Sequence, residues 1–218
     1  MSIKLKYALI PVLVFCANAF AYTVASGQKL PPHVTYSCSD DDQAALVGAL
    51  TIWNHVCDGY FTFERVDQDA IISVVTRDIG YGFDGLTAQQ GYTAKISINT
   101  ATHDRDAAML HEVGHAFGMG HSTDHDSVMN TAVSHQFVNQ DDIDGIRSIY
   151  GLSPKIFGPI IKQKAHTVKA IGSELTAVVF SDGFIMTKKV VTHTLPRGVF
   201  TLEFYCAGVY GKRSVTIK

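Results

Sequence analysis

The feature that most constrains the fold is a run of eleven residues at positions 111–121, HEVGHAFGMGH. Side chains four positions apart lie on one face of an α-helix, so His111 and His115 can direct their ring nitrogens to one point. Gly118 permits a sharp backbone turn after such a helix, which brings His121 round to the same point. The run therefore predicts a helix that ends near Gly118 and presents three imidazoles to one metal ion.

Three neutral imidazoles are typical of catalytic zinc sites, which keep a fourth coordination position open for water. Glu112 follows the first of these histidines, where its carboxylate can take a proton from that water without becoming a ligand. A shuffled chain of this composition would place three histidines, a glutamate and a glycine at these positions in roughly three cases per hundred thousand. We therefore interpret these histidines as one site, and the other seven as ordinary core or surface residues.

The first 21 residues have the pattern of a cleaved export signal. Two lysines precede an apolar run, and residues 19–21, Ala-Phe-Ala, supply the small-x-small pattern before Tyr22. A membrane anchor is the alternative, but Pro11 and Asn18 interrupt the run, which falls short of the roughly 20 apolar residues that a span needs. We therefore predict a secreted protein, extracellular or periplasmic, with no stable membrane insertion after the signal is removed.

The composition narrows the class of protein further. The chain has a net charge of −2, which becomes −4 without the two leader lysines, and it has no block of lysine or arginine. This charge balance argues against nucleic acid as a partner. With 46% apolar and 17% charged residues, the chain is predicted to be globular rather than disordered or rod-like.

Three cysteines follow the predicted leader, namely Cys38, Cys57 and Cys206. Cys38 and Cys57 bracket a predicted helix and can pair in an oxidising compartment. Three free thiols are the alternative, and the spacing does not decide between the two.

The hydrophobic pattern predicts an α+β domain at residues 22–153, after the leader at 1–21. Its helices are predicted at 40–53, 106–118 and 140–150. Its strands are predicted at 33–38, 61–66, 70–76 and 95–99, with a glycine-rich loop at 78–91. Residues 154–218 predict a small all-β, sandwich-like C-terminal module. Its strands are predicted at 175–180, 184–192, 199–206 and 213–217.

The run at 111–121 and the segments around it resemble the metzincin metalloproteases and, within them, the matrixins. Ser122 follows the third histidine, as is usual in matrixins, and Met129 lies in SVMN at the position of the family's Met-turn. Residues 137–151, FVNQDDIDGIRSIYG, are similar to the last helix of a matrixin domain. Residues 83–88, FDGLTA, are similar to the segment that leads into its substrate-binding edge strand. The resemblance implies a twisted mixed sheet with three helices.

The resemblance also implies a role for each residue of the site. His111, His115 and His121, called the histidine triad below, would bind one catalytic zinc ion. Glu112 would act as general base on the bound water and then as proton donor to the leaving amine. Met129 would form an apolar floor beneath the metal.

Substrate binding and the chain start follow from the same resemblance. An extended peptide would add to the sheet edge through main-chain hydrogen bonds. The residues of that edge would be Leu86, Thr87, Ala88 and Gln89. Signal cleavage would free the ammonium group of Tyr22, which would pair with Asp141 in the last helix, as mature matrixin N-termini can. We expect no pro-segment with a latency cysteine, because few residues separate Tyr22 from the first predicted strand.

Two departures from the animal matrixins concern metals. Arg77 and Ile79 stand where ligands of a second, structural zinc are usual, and neither side chain can bind zinc. The loop after Asp84 is too short to supply the oxygen ligands that calcium requires. The sequence therefore predicts one zinc ion, disfavours a second and leaves calcium doubtful.

Together these features predict a secreted zinc-dependent endopeptidase that hydrolyses extended segments of protein or peptide substrates. The alternative is a catalytically weak, zinc-stabilised binding or adhesion protein on a matrixin scaffold. The intact Glu112 favours the enzyme, because zinc retention alone does not need that carboxylate.

Overall fold

A computed structural model describes residues 22–24, 29–131, 135–171, 175–183, 185–186 and 190–218. The predicted leader at 1–21 lies outside these ranges. The helices are α1 (Asp40–Val56), α2 (Arg105–Ala116) and α3 (Gln140–Tyr150). The strands before α3 are β1 (Tyr22–Val24), β2 (His33–Ser37), β3 (Thr62–Arg65), β4 (Ile72–Arg77), β5 (Gly85–Gln90), β6 (Thr93–Asn99) and β7 (Met119–Ser122). The strands after α3 are β8 (Ile160–Lys164), β9 (Thr167–Ile171), β10 (Leu175–Phe180), β11 (Ile185–Met186), β12 (Val190–Thr194), β13 (Gly198–Cys206) and β14 (Val209–Ile217).

A five-stranded mixed sheet organises the N-terminal part of the chain, in the order β3-β2-β4-β6-β5. Strands β2, β3, β4 and β6 run parallel, whereas β5 lies antiparallel to β6 at the edge. This sheet and the three helices confirm the predicted α+β, matrixin-like fold. All three helices were predicted within a few residues of their bounds, because each has local capping or periodicity signals.

Strand β5 corrects the loop expected at 78–91. The glycines of that segment suggested a turn-rich connection, but residues 85–90 pair along their whole length with β6. Their side chains alternate between half-buried and exposed, so the segment lacks a strong hydrophobic pattern. The strand coincides with the edge that the family resemblance implied at Leu86–Gln89.

Two contacts between α1 and α2 position the helix that carries two of the histidines. Trp53 in α1 is fully buried, and its indole N–H donates to the carbonyl of Leu110 in α2 at 2.9 Å. At the start of α2, Arg105 lies 3.0 Å from the buried carboxylate of Asp42 in α1. A large buried aromatic ring with a satisfied N–H holds the two helices in one arrangement.

The short strand β1 pairs antiparallel with β7, and Tyr22 lies opposite Ser122. The sequence predicted no strand before residue 33. A three-residue strand carries too little periodicity to be recognised, and its partner is distant in sequence. The pairing places the chain segment at Tyr22 beside the strand that contains His121.

The C-terminal part has two antiparallel sheets, with strand orders β11-β10-β13-β14 and β12-β9-β8. They share a separate hydrophobic core that includes Val168, Val178, Phe180, Val191 and Leu202. This arrangement agrees with the predicted all-β, sandwich-like module, although β8 and β9 were not predicted. The single strand predicted at 184–192 is wrong, because β11 and β12 in this segment belong to different sheets. The boundary at 153–154 stays a prediction.

The structure describes the side chains of two of the three cysteines that follow the predicted leader. Cys38 is half-buried, Cys57 is buried, and both are free thiols, so their pairing is not formed. The side chain of Cys206 lies outside the described part of the chain.

Within the described ranges, no helix has the length and apolar character needed to cross a bilayer.

Candidate metal centre and active site

The end of α2 and the turn after it bring the histidine triad together. Asp104 begins the helix, and its side chain accepts a hydrogen bond from the Ala107 amide at 3.0 Å. Gly118 adopts a φ of +94°, a left-handed conformation that side chains disfavour, and the chain reverses there into β7. His121 lies in β7, so the turn returns it toward the two histidines of α2.

The ligand nitrogens of the triad lie within 4.8 Å of one another. The Nε2 atoms of His115 and His121 are 3.2 Å apart. One ion at about 2.0–2.1 Å from each nitrogen in tetrahedral geometry separates the nitrogens by roughly 3.3 Å. The triad is therefore close to the spacing that a single zinc ion requires.

Main-chain hydrogen bonds orient two of these rings. The Nδ1 atom of His111 lies 2.7 Å from the carbonyl oxygen of Val128, and Nδ1 of His115 lies 2.8 Å from that of Met119. A carbonyl can only accept, so each Nδ1 carries the proton and each Nε2 keeps a lone pair for a metal. This donor set fits zinc.

Burial keeps the same two rings in the form that binds metal. It lowers the pKa of His111, and it lowers the pKa of His115 to about 4. The main-chain hydrogen bonds oppose these shifts without cancelling them. Both imidazoles are therefore neutral near pH 7, the state in which the ring nitrogen can donate its lone pair.

Glu112 is buried between α2 and β5, with 5% of its surface exposed. Burial raises the pKa of its carboxyl to about 7, and a hydrogen bond from Thr87 opposes that shift. The Thr87 hydroxyl lies 2.6 Å from Oε2 of Glu112 and 3.0 Å from its carbonyl oxygen. A Cβ at Gly85 would come within 2.5 Å of Glu112 Cγ, so β5 can pass this closely only with glycine there.

The edge residues predicted to bind substrate divide into two pairs. Leu86 and Ala88 are exposed, whereas Thr87 and Gln89 are half-buried and turn toward α2. Gln89 donates from Nε2 to the carbonyl oxygens of His115 and Ala116, each at 2.8 Å. Thr87 and Gln89 thus fasten the edge strand to the metal-binding helix, a function that the sequence did not indicate.

Met129 is fully buried against α2. A Cβ on Gly114 would lie 2.4 Å from the Met129 sulfur, so the methionine packs on the helix backbone between its two histidines. The carbonyl of Met129 accepts from the amide of Ser122, beside His121, at 2.9 Å. Met129 therefore contacts both elements that carry the triad, while its role as a floor beneath the metal stays a prediction.

Asp142 is a residue that the sequence analysis missed. Its carboxylate is fully buried and accepts hydrogen bonds from the amides of Val128 (3.0 Å), Met129 (3.3 Å) and Asn139 (2.8 Å). It also accepts one from the hydroxyl of Ser127. Burial raises the pKa of Asp142 to about 6, against the effect of these donors. One acid of α3 thus holds the turn whose Val128 carbonyl orients His111.

A sequence signal for Asp142 was present. Asn139 and Asp142 form a capping box, an N-cap residue followed three positions later by a side chain that bonds back. The neighbouring Asp141 accepts a hydrogen bond from the hydroxyl of Ser122 at 2.8 Å. Because Tyr22 lies opposite Ser122, Asp141 is close to the start of β1, and its predicted pairing with the Tyr22 ammonium group stays a prediction.

The mixed sheet, the three helices and the triad beside a buried glutamate agree with a matrixin-like metalloprotease domain. Residues 86–151 match the matrixin family model. The chain is 42% identical over 59 residues to Metalloendoproteinase 1 of Glycine max, a match that covers 25% of this chain and 19% of that protein. It is 28% identical over 138 residues to Stromelysin-2 of Rattus norvegicus, covering 51% of this chain and 29% of that protein.

A third relative extends the match over more of the chain. The Interstitial collagenase of Oryctolagus cuniculus is 31% identical over 189 residues, which cover 72% of this chain and 39% of that protein. The chain thus spans between a fifth and two fifths of the length of these three relatives. The similarity supports a matrixin-like metalloprotease domain in this chain.

Proposed function

We propose that this chain is an exported zinc-dependent endopeptidase that cleaves extended segments of protein substrates. The observation that carries the proposal is the convergence of three ring nitrogens beside the buried carboxylate of Glu112. Glu112 is not needed to retain a metal, but it is needed to move a proton. The similarity to metalloendoproteinases, stromelysins and a collagenase supports the same reaction class.

The triad would hold zinc through its Nε2 atoms, because the Nδ1 atoms of His111 and His115 face main-chain carbonyls. A zinc ion held there would acidify a bound water and polarise the scissile carbonyl. Glu112 would accept the proton of that water and return it to the leaving amine. Thr87 holds Oε2 of Glu112, which orients the carboxylate and leaves Oε1 for the proton.

Strand β5 would bind the substrate. It lies at the edge of the sheet, and Leu86 and Ala88 present their side chains outward. An extended peptide can add to such an edge by main-chain hydrogen bonds, which are independent of its sequence. Because Thr87 and Gln89 fix β5 to α2, a peptide on this edge would be held at a constant distance from the triad.

Peptide cleavage and its dependence on metal test this function. We expect the purified protein to cleave members of a quenched fluorescent peptide library, to lose this activity with 1,10-phenanthroline and to recover it with added Zn²⁺. Elemental analysis should give one zinc per chain. A protein that is fully loaded with zinc but cleaves no peptide would favour the binding or adhesion alternative.

We further propose that export cleavage before Tyr22 places a free ammonium group near Asp141. The pairing of Tyr22 with Ser122, and the hydrogen bond from Ser122 to Asp141, support this placement. An ion pair there would join β1, β7 and α3, the elements beside His121. This proposal includes the cleavage of residues 1–21 as an export signal and the secretion of the protein.

Extension of the mature chain should weaken that ion pair. One alanine added before Tyr22 displaces the ammonium group, and we expect kcat to fall about five-fold, equivalent to the ~1 kcal/mol of an exposed to half-buried ion pair. Steady-state kinetics on one peptide would measure the change. Asp141→Asn should lower kcat to a similar extent, and the extension should then have no additional effect. If the chain that begins at Tyr22 and the chain with the added alanine had equal kcat values, the ion pair would be contradicted.

A further inference from the structure

The turn of the β13–β14 hairpin docks on the N-terminal domain. The amide of Val138 donates to the carbonyl of Gly208 at 3.0 Å, and the amide of Tyr210 donates to the carbonyl of Val138 at 2.9 Å. These two hydrogen bonds make a β-bridge between Val138 and Val209. Val138 is fully buried and lies just before α3, so its main-chain groups depend on protein partners rather than water.

The hairpin turn is packed as part of the N-terminal domain. Val209 is 2% exposed and belongs to the large N-terminal core rather than to the core of the C-terminal module. Gly208 has a φ of +79°, and a Cβ on it would come within 2.8 Å of Ile52 in α1. The turn therefore fits against α1 with no space for a side chain at position 208.

Two side-chain contacts flank the docked turn. The ring of Phe137 meets that of Tyr205 in an edge-on arrangement, with centroids 5.1 Å apart. Lys212 lies 2.9 Å from the carboxylate of Asp126. Because both side chains are almost half exposed, this ion pair contributes little to the stability of the interface. The main-chain bridge and the buried Val209 thus define the interface, which we call the hairpin dock (Val138 with residues 207–210).

A short series of hydrogen bonds links the hairpin dock to the triad. Val138 is followed by Asn139, whose amide donates to Asp142 at 2.8 Å. Asp142 accepts from the amide of Val128 at 3.0 Å, and the carbonyl of Val128 orients His111 at 2.7 Å. A continuous path of main-chain groups and one buried carboxylate therefore connects the hairpin to His111, a proposed metal ligand.

We infer that the hairpin turn at residues 207–210 is a positioning element of the proposed active site, which sets the orientation of His111 through Val138 and Asp142. The inference rests on the proposed function and assigns the C-terminal module a part in it. Outside its own hairpin, the turn contacts Val138 and α1, and none of its described contacts is with the triad. The turn therefore acts on the site indirectly. Groups that orient a metal ligand typically change metal affinity or activity 10- to 100-fold when they are removed.

Gly208→Ala in the full chain tests the hairpin dock. The added methyl group meets Ile52, and alanine disfavours the left-handed φ, so the turn should withdraw from Val138. We expect the zinc dissociation constant to rise about ten-fold and amide hydrogen exchange in residues 135–142 to accelerate about ten-fold. In a peptide-cleaving protein, kcat should fall by a similar factor.

Two further variants separate docking from general strain. Gly183→Ala introduces the same disfavoured conformation, at φ +89°, in a turn where a Cβ has open space. It should leave zinc affinity and exchange in residues 135–142 within two-fold of the wild type. Ile52→Ala removes the atoms that the new methyl group meets, and should restore a part of the zinc affinity when combined with Gly208→Ala. Val209→Thr serves as the second docking variant if Gly208→Ala does not fold.

The outcomes distinguish the inference from the proposed function. Equal zinc affinity and equal exchange in Gly208→Ala and Gly183→Ala would overturn the positioning role, whatever the activity. A wild-type protein that cleaves no peptide would overturn the proposed function, while the zinc and exchange measurements would still test the hairpin dock. Accelerated exchange at 135–142 together with weaker zinc binding in Gly208→Ala, both restored in part by Ile52→Ala, would establish the hairpin dock.

Discussion

Glu112→Gln is expected to lower kcat for peptide hydrolysis by about 10³-fold while the protein keeps one zinc per chain. An amide has nearly the size of a carboxylate, so it fits the narrow space beside Gly85, and its oxygen can still accept from Thr87. It cannot take a proton from water at neutral pH. Because Glu112 is not a member of the triad, metal retention and turnover should separate in this variant. Steady-state kinetics on a library-selected peptide and elemental analysis measure the two quantities.

A matched control for this variant is Glu64→Gln. Glu64 is exposed and pairs with His33 on the far edge of the sheet, so the same chemical change there should alter kcat by less than about two-fold. Retention of more than a tenth of the wild-type kcat by Glu112→Gln would contradict the role of Glu112 as general base. Loss of zinc from that variant would instead mean that the carboxylate supports the metal.

The local part of the site was predictable from sequence because its signals are local. A four-residue helical spacing, a glycine after it and capping residues before it determine how α2 presents His111 and His115 and how the chain returns with His121. The same kind of signal predicted α3 without error in its bounds. Such patterns do not depend on what the helix packs against.

The supporting part of the site was not predictable, because it depends on partners far apart in sequence. Thr87 reaches Glu112 only through the register between β5 and β6, and a shift by one residue would turn its side chain away. The capping box makes Asp142 recognisable as part of the start of α3, but this local pattern does not reveal that its carboxylate also accepts from the distant amide of Val128. The contact of Val138 with the β13–β14 hairpin joins two segments that carry no mutual signal.

Asp142→Ala is expected to lower the free energy of unfolding by about 3 kcal/mol. The carboxylate is the acceptor for the amides of Val128 and Asn139, and each buried amide left without an acceptor costs about 1–3 kcal/mol. Burial of the charge, which raises the pKa of Asp142 to about 6, is relieved by the substitution and offsets a part of this loss. Urea unfolding followed by the fluorescence of Trp53 would show a lower midpoint with an unchanged m-value.

Two controls identify the source of this destabilisation. Asp144→Ala removes an acid from the same helix whose contact is with the Gln140 side chain, so it should cost less than about 1 kcal/mol. Asp142→Asn keeps one acceptor oxygen and the size of the side chain, and should lie between the alanine variant and the wild type. Equal urea midpoints of unfolding for Asp142→Ala and Asp144→Ala would show that the turn at Val128 is stable without Asp142. With the expected difference, Asp142, which completes the capping box of α3, is the acceptor that stabilises the turn at Val128, whose carbonyl orients His111.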